Sequence, residues 1–299
     1  MTTILTHLRT LSGHTGAITA LALTPNEDYL LTASADKTIK VWRLSDGLEI
    51  LTLQGHHHRV TGVTTTPSGD YAISAAEDKS LKIWNLSTGI EKLTLQQAHF
   101  NRLTALAITP DGSKIISGSR DQILKVWELQ DQDFKEQFAL KGHTAWVTAV
   151  TVTSDGRRAI SAGRDEVLKV WDLTTGQELQ TLRGHAHFVA AVALTPDGQQ
   201  VISASWDKTL KIWALDTGAE LFTITGHTDP IEAVTVTKEG SKIISAGWDK
   251  TVKVWDFSTN LPLASFLTEA KLSSCIVTRS GLIIVGDHNG QVHYLWIAE

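Results

Sequence analysis

Leu210-Lys211-Ile212-Trp213 is one of seven strings of a single form. The others are Ile39-Lys40-Val41-Trp42, Leu81-Lys82-Ile83-Trp84, Leu124-Lys125-Val126-Trp127, Leu168-Lys169-Val170-Trp171, Val252-Lys253-Val254-Trp255 and the degenerate His293-Tyr294-Leu295-Trp296. Successive tryptophans stand 42, 43, 44, 42, 42 and 41 residues apart. Seven units of about 42 residues fill about 294 of the 299 positions. A single domain over 1–299 is expected, with no room for a second.

Inside each unit the signals are those of β-strands. Ile18-Thr19-Ala20-Leu21-Ala22-Leu23 and Val147-Thr148-Ala149-Val150-Thr151-Val152 alternate with period two, and Lys242-Ile243-Ile244-Ser245 is a short β-branched run. Thr109-Pro110-Asp111-Gly112 and Asp216-Thr217-Gly218 supply tight reversals. Four short strands per unit predict an antiparallel meander. Its two apolar faces require neighbouring sheets to stack around an axis.

Two further marks share the period. Gly-His precedes the first strand at Gly13-His14, Gly55-His56, Gly142-His143, Gly184-His185 and Gly226-His227, and Ala98-His99 stands in the third unit. An Asp lies six residues before the Trp at Asp36, Asp78, Asp121, Asp165, Asp207 and Asp249. On these residues the chain resembles the WD-repeat (WD40) family over its whole length, with Trp-Asp itself kept only at Trp171-Asp172 and Trp255-Asp256. The mutual similarity of the units resembles bacterial WD-repeat arrays. The resemblance implies an all-β, seven-bladed β-propeller of four-stranded antiparallel blades. The last unit ends just after its third strand, and Leu5-Thr6-His7-Leu8-Arg9-Thr10-Leu11 matches the fourth-strand run Leu48-Glu49-Ile50-Leu51-Thr52-Leu53. The N-terminal segment is therefore expected to complete the last blade and hide its edge.

A Ser or Thr ten residues before the Trp (Thr32, Ser74, Ser117, Ser161, Ser203, Ser245) joins His and Asp at fixed offsets. Six copies of a hydrolase triad would be six equivalent active sites. A buried chain from indole N–H through hydroxyl and imidazole to carboxylate satisfies the same residues without catalysis, and it is the role these positions play in the family. Counting back from Trp296 puts Leu267-Thr268, Gly286 and Gly290 at the corresponding places of the seventh unit, so no tetrad is expected there. Gln130-Asp131-Gln132-Asp133-Phe134 replaces a Thr-Gly turn and predicts a bulging loop.

Composition excludes several function classes. A hydrophobic share of 42% and net charge of −5 exclude wholesale disorder and give no electrostatic reason for nucleic-acid binding. No apolar run reaches transmembrane length, and Cys275 is the one cysteine. A cytoplasmic, monomeric protein is expected. No phosphate loop or dinucleotide fingerprint occurs. His56-His57-His58 lacks patterned carboxylates, so neither metal nor cofactor is expected. Cys275 reads as a buried, inert thiol, and the Lys two places before each Trp as a snorkelling strand residue.

Repeats carry function where their copies differ. Three residues after each tetrad His stand Ala17, Arg59, Arg102, Trp146, Phe188 and Pro230; just before each tetrad Asp stand Ala35, Glu77, Arg120, Arg164, Trp206 and Trp248. These positions should rim the top opening. The candidate binding set is Arg59, Arg102, Arg120, Trp146, Arg164, Phe188, Trp206 and Trp248, rich in the residue types of binding hot spots. It implies a non-catalytic scaffold or sensor for a protein or peptide with acidic and apolar parts. The alternatives are a nucleic acid or phosphorylated ligand on the Arg arc, or an enzyme using the channel. The latter needs inward carboxylates or His, and the first strands read as Thr, Ala, Val and Leu. Trp146, Trp206 and Trp248 should be partly exposed and the seven strand tryptophans buried.

Overall fold

Alternating β-branched segments cut by Gly, Pro and Asp turns can satisfy their backbone groups only in ladders, and each unit forms one. In the computed structural model, which describes residues 4–130 and 133–298 (for Gln130 and Ala298 the backbone only), seven four-stranded antiparallel sheets form a ring. No helix occurs among the described residues. Blade 1 runs Ile18–Leu23, Tyr29–Ser34, Thr38–Arg43 and Glu49–Gln54. Blades 2 to 6 repeat it, beginning at Val60, Leu103, Val147, Val189 and Ile231. Blade 7 contributes Leu272–Val277, Ile283–Asp287 and Val292–Ala298, and its outer strand is Ile4–Leu11. There Leu5 lies opposite Ile297 and Leu11 opposite Val292.

The core is seven apolar layers between blades. Leu31, Ile39 and Val41 of blade 1 meet Val60, Ala72 and Trp84 of blade 2. The ring closes where Ile284 and Tyr294 of blade 7 meet Ile18, Leu30 and Trp42 of blade 1. A second set of bonds runs around the channel. The second residue of each first strand is Thr19, Thr61, Thr104, Thr148, Ala190, Glu232 and Ser273. The hydroxyls of Thr19, Thr61, Thr104, Thr148 and Ser273 donate to carbonyls of Val60, Leu103, Val147, Val189 and Ile18 on the next blade, at 2.5–3.0 Å. The junctions from blade 5 to 6 and from blade 6 to 7 have Ala190 and Glu232 instead.

All six tetrads form. Each indole Nε1–H donates to its hydroxyl at 2.8–2.9 Å. The hydroxyl meets His Nε2 at 2.7–2.8 Å. His Nδ1 meets the Asp at 2.7–3.0 Å. A carboxylate only accepts, so Nδ1 carries the proton and Nε2 receives the hydroxyl's. Glycine precedes the His because the Trp ring closes on it: a Cβ at Gly142 would lie 2.5 Å from Glu178 Oε2 and 3.0 Å from Trp171. That Glu belongs to a pair with the repeated lysine, Lys169 Nζ to Glu178 Oε1 at 2.7 Å, recurring at Lys40, Lys82, Lys125 and Lys211. These lysines are paired and partly enclosed rather than merely snorkelling.

Asp165 shows what holds a tetrad. Burial pushes its pKa up, but the His143 hydrogen bond and charge and the Thr144 N–H outweigh it, and the carboxyl sits below its ordinary value. Asp165→Ala leaves His143 Nδ1 without its acceptor in a side chain shielded from water. We expect a loss of about 1–3 kcal/mol in urea unfolding at neutral pH. An unchanged midpoint would remove the tetrad's structural role.

Blade 7 corrects the sequence reading. Trp42, Trp84, Trp127, Trp171, Trp213 and Trp255 are buried at 1–4% exposure, but Trp296 is 39% exposed. Trp42 pairs with Leu30, and the equivalent Ile283 pairs with Leu295. Leu295, fully buried, holds the Trp register, and Trp296 points outward opposite Thr6. The count from Trp296 is therefore one residue late. Val285 holds the hydroxyl position in place of Gly286, and Asn289 the Asp position in place of Gly290. Gly290, at φ 83°, matches Lys37 at φ 75° after Asp36. The tetrad is absent, yet a different polar chain serves the blade. Buried Asp287 accepts from the backbone N–H groups of Asn289 and Gln291, and meets His293 Nε2 at 3.2 Å. His293 Nδ1 meets Thr10 Oγ1 at 3.0 Å on the N-terminal strand.

Two smaller expectations also change. Between the third and fourth strands of blade 3 the ladder is longer than elsewhere, Ile123–Gln130 against Asp133–Lys141, with Gln130 opposite Asp133; the expected bulging loop falls on the two residues between them. Asp131 and Gln132 lie outside the described residues. Cys275 is only partly buried as a residue, although burial of its thiol pushes the pKa up to about 12.

Candidate functional site at the channel mouth

The rim positions follow from the ladder. In every blade the residue before the tetrad Asp donates its backbone N–H to the carbonyl of the residue three after the tetrad His. Ala35 to Ala17, Glu77 to Arg59, Arg120 to Arg102, Arg164 to Trp146, Trp206 to Phe188 and Trp248 to Pro230 all do so at 2.8–3.0 Å. Each pair of side chains is thereby set side by side on the top face. His288 N to Lys271 O, 2.9 Å, is the seventh. Sequence counting missed Lys271 and His288 because the seventh unit lacks the tetrad His and Asp from which the rim was counted.

Arg59, Arg120, Trp146, Arg164, Phe188, Trp206 and Trp248 line one cavity of about 350 Å³ at the mouth of the channel, with Glu77, Glu232 and His288. Arg102 stands outside it and reaches Glu77 at 2.8 Å. Trp146, Trp206 and Trp248 are half-buried, unlike the six tetrad tryptophans. The aromatic wall is continuous: Phe188 and Trp206 have centroids 5.5 Å apart, Trp206 and Trp248 4.9 Å, Trp248 and His288 6.2 Å. The two alanines of blade 1 leave the wall low opposite it.

The arginines divide into two kinds. Arg120 and Arg102 share Glu77, each at 2.8 Å. Arg164 has no carboxylate within 4.0 Å among the described residues, and lies over the rings of Trp146 (4.2 Å), Phe188 (4.9 Å) and Trp206 (5.7 Å). Arg59 is exposed and likewise without such a carboxylate. Lys271 covers the face of Trp248 at 4.0 Å.

Glu232 overturns the expectation that the first strands present only small or apolar side chains to the channel. It accepts from Trp206 Nε1–H at 3.0 Å. Burial pushes its pKa up to about 7, against the Trp206 hydrogen bond and the charges of Arg164 and Arg59. The signal was present in the sequence as the one acid at a position otherwise Thr, Ala or Ser. A second omission is Phe100, 86% exposed one residue after a tetrad His, where other blades have Thr, His or Ala.

Comparison with known proteins places this geometry. The family model "WD domain, G-beta repeat" matches residues 5–43, 47–85, 90–128, 134–172 and 176–214, more than half of the chain. Each match starts near the outer strand of one blade and ends on the third strand of the next, an offset that the N-terminal strand resolves. The model "TEP-1 C-terminal beta-propeller" matches residues 227–296. Among curated proteins, Protein HIR1 of Mycosarcoma maydis is 54% identical over 43 residues, 14% of this chain and 4% of that protein. The likeness covers one repeat. No helix among the described residues is long and apolar enough to cross a membrane.

Proposed function

Because the chain belongs to the WD40-repeat family, whose propellers are commonly protein-interaction scaffolds, we propose that it is a non-catalytic scaffold that holds a peptide or protein segment at the channel mouth. The observation that carries this reading is the half-buried wall of Phe188, Trp206 and Trp248 beside two guanidinium groups with no carboxylate partner among the described residues. Large aromatic surface left beside water is otherwise unfavourable, and Trp and Arg dominate binding hot spots. The segment that fits carries an apolar part for blades 5 and 6 and an acidic part for blades 2 to 4. Glu77 offsets one of the two charges of Arg102 and Arg120, and the aromatic wall on the other side of the mouth favours a peptide over a nucleic-acid backbone.

A display library of random 12-residue peptides tests this. Clones enriched on the wild-type protein should combine Asp or Glu with Leu, Ile or Phe, and should be lost on a Trp206→Ala, Trp248→Ala double variant. Enrichment that survives the double variant places binding elsewhere. Binding to polyanions with a steep salt slope would replace the peptide reading by the nucleic-acid one.

A further inference from the structure

Glu232 is a carboxyl group placed in a basic cavity without a salt bridge, and three features around it share one explanation. Trp248 Nε1 is buried with no hydrogen-bond partner among the described residues and stands close enough to Glu232 to favour its ionised form weakly. Arg164 is fixed by three aromatic rings and has no carboxylate within 4.0 Å among the described residues. Arg59 faces the same space, also without one. An unpaired donor and two unpaired guanidinium groups converging on one volume describe a place for an anionic group. A cation is disfavoured, because Arg164 and Lys271 already lie over the ring faces that would receive it.

We propose that this volume is a subsite for a ligand carboxylate, held by Arg59, Arg164 and Trp248 Nε1, and that Glu232 must be protonated for it to be filled. The proposal rests on the docking reading above and specifies its acidic contact. Ionised Glu232 would place a second negative charge beside the ligand and compete for Arg164, whereas neutral Glu232 can donate to the ligand oxygen. Its raised pKa supports this, since the neutral form is populated at and below neutrality. The groups facing it are Arg164, Arg59, Trp206 and Trp248; Glu77 is already satisfied by Arg102 and Arg120, and Lys271 and His288 stand at the rim. Ligand is then taken up with one proton. Affinity is full below the Glu232 pKa and falls about tenfold per pH unit above it.

The probe is acetate, read by NMR through the indole N–H signals of Trp206 and Trp248, assigned with Trp206→Phe and Trp248→Phe. In wild-type protein the Trp206 signal should titrate near neutrality. Acetate at ten times its Kd should raise that midpoint by about one pH unit. Glu232→Gln, which keeps the shape, should abolish the titration and bind acetate equally at pH 6 and pH 8. Trp248→Phe should weaken acetate roughly fivefold. A midpoint unmoved by acetate, a titration that persists in Glu232→Gln, or an equal response to inorganic phosphate overturns the proposal. A terminally blocked Asp peptide and its Asn counterpart with a free C-terminus then distinguish a side-chain from a terminal carboxylate. If peptides selected on the wild type still bind while acetate has no effect, the subsite fails and the docking reading stands. If acetate shifts the midpoint but no peptide depends on the mouth tryptophans, the docking reading fails and the subsite stands.

Discussion

Deletion of residues 1–11 is expected to open the ring: the truncated chain unfolds at markedly lower denaturant than the intact chain, or self-associates. Leu5 and Leu11 are both 7% exposed, and withdrawing two such side chains from their layers forfeits about 3–6 kcal/mol of burial. The polar ties go with them. Thr10 no longer meets His293, and Arg9, which donates to Ser45 O at 3.1 Å, no longer links blade 7 to blade 1. Val292–Ala298 becomes an unpaired strand edge, a template for another chain. Light scattering after size exclusion and a urea titration give the two readouts. Supplying residues 4–11 as a separate peptide should restore the midpoint. A truncation that stays monomeric with an unchanged midpoint would show that the N-terminal strand is dispensable.

Trp213→Ala and Trp206→Ala should have opposite effects. Trp213 is 1% exposed, donates to Ser203 at 2.9 Å and lies edge-on to His185. Its truncation opens a cavity between blades 4 and 5 and strips the tetrad of its buried end, costing about 3–5 kcal/mol. Trp206 is half-buried, and its truncation takes one hydrogen bond from the buried Glu232, so it costs about 1–3 kcal/mol. Selected peptides should bind Trp213→Ala as before wherever it is folded, and fail on Trp206→Ala. Equal destabilisation by both would merge the mouth tryptophans with the structural set.

Periodicity made most of the ring legible. The Trp spacing yields seven blades, the offsets of His, hydroxyl and Asp yield six tetrads, and the match of Leu5–Leu11 to Leu48–Leu53 yields the closing strand. What failed has a physical source. Trp296 looks like the anchor of its unit, but the pairing of Ile283 with Leu295 decides the register, and no string comparison sees it. Lys271 and His288 were missed because that unit has no tetrad His or Asp to count from. Glu232 was hidden because alternation says that a residue faces away from its neighbours, not that one of the two faces borders a channel. The division of the arginines into paired and unpaired needed Glu77 placed between Arg102 and Arg120, which are 25 and 43 residues from it.

The two junctions without a hydroxyl bond give the ring an uneven response to temperature. Trp206 against Trp248 bridges blades 5 and 6, where Trp206 also donates to Glu232 at 3.0 Å, and Trp248 against His288 bridges blades 6 and 7; the other five junctions have a hydroxyl-to-carbonyl bond. Apolar contact draws its strength near 25 °C from water and weakens on cooling; a hydrogen bond has no such dependence. Chilling therefore weakens every apolar layer of the ring, and the junction from blade 6 to blade 7, held at the mouth by ring contact, has the least to offset it.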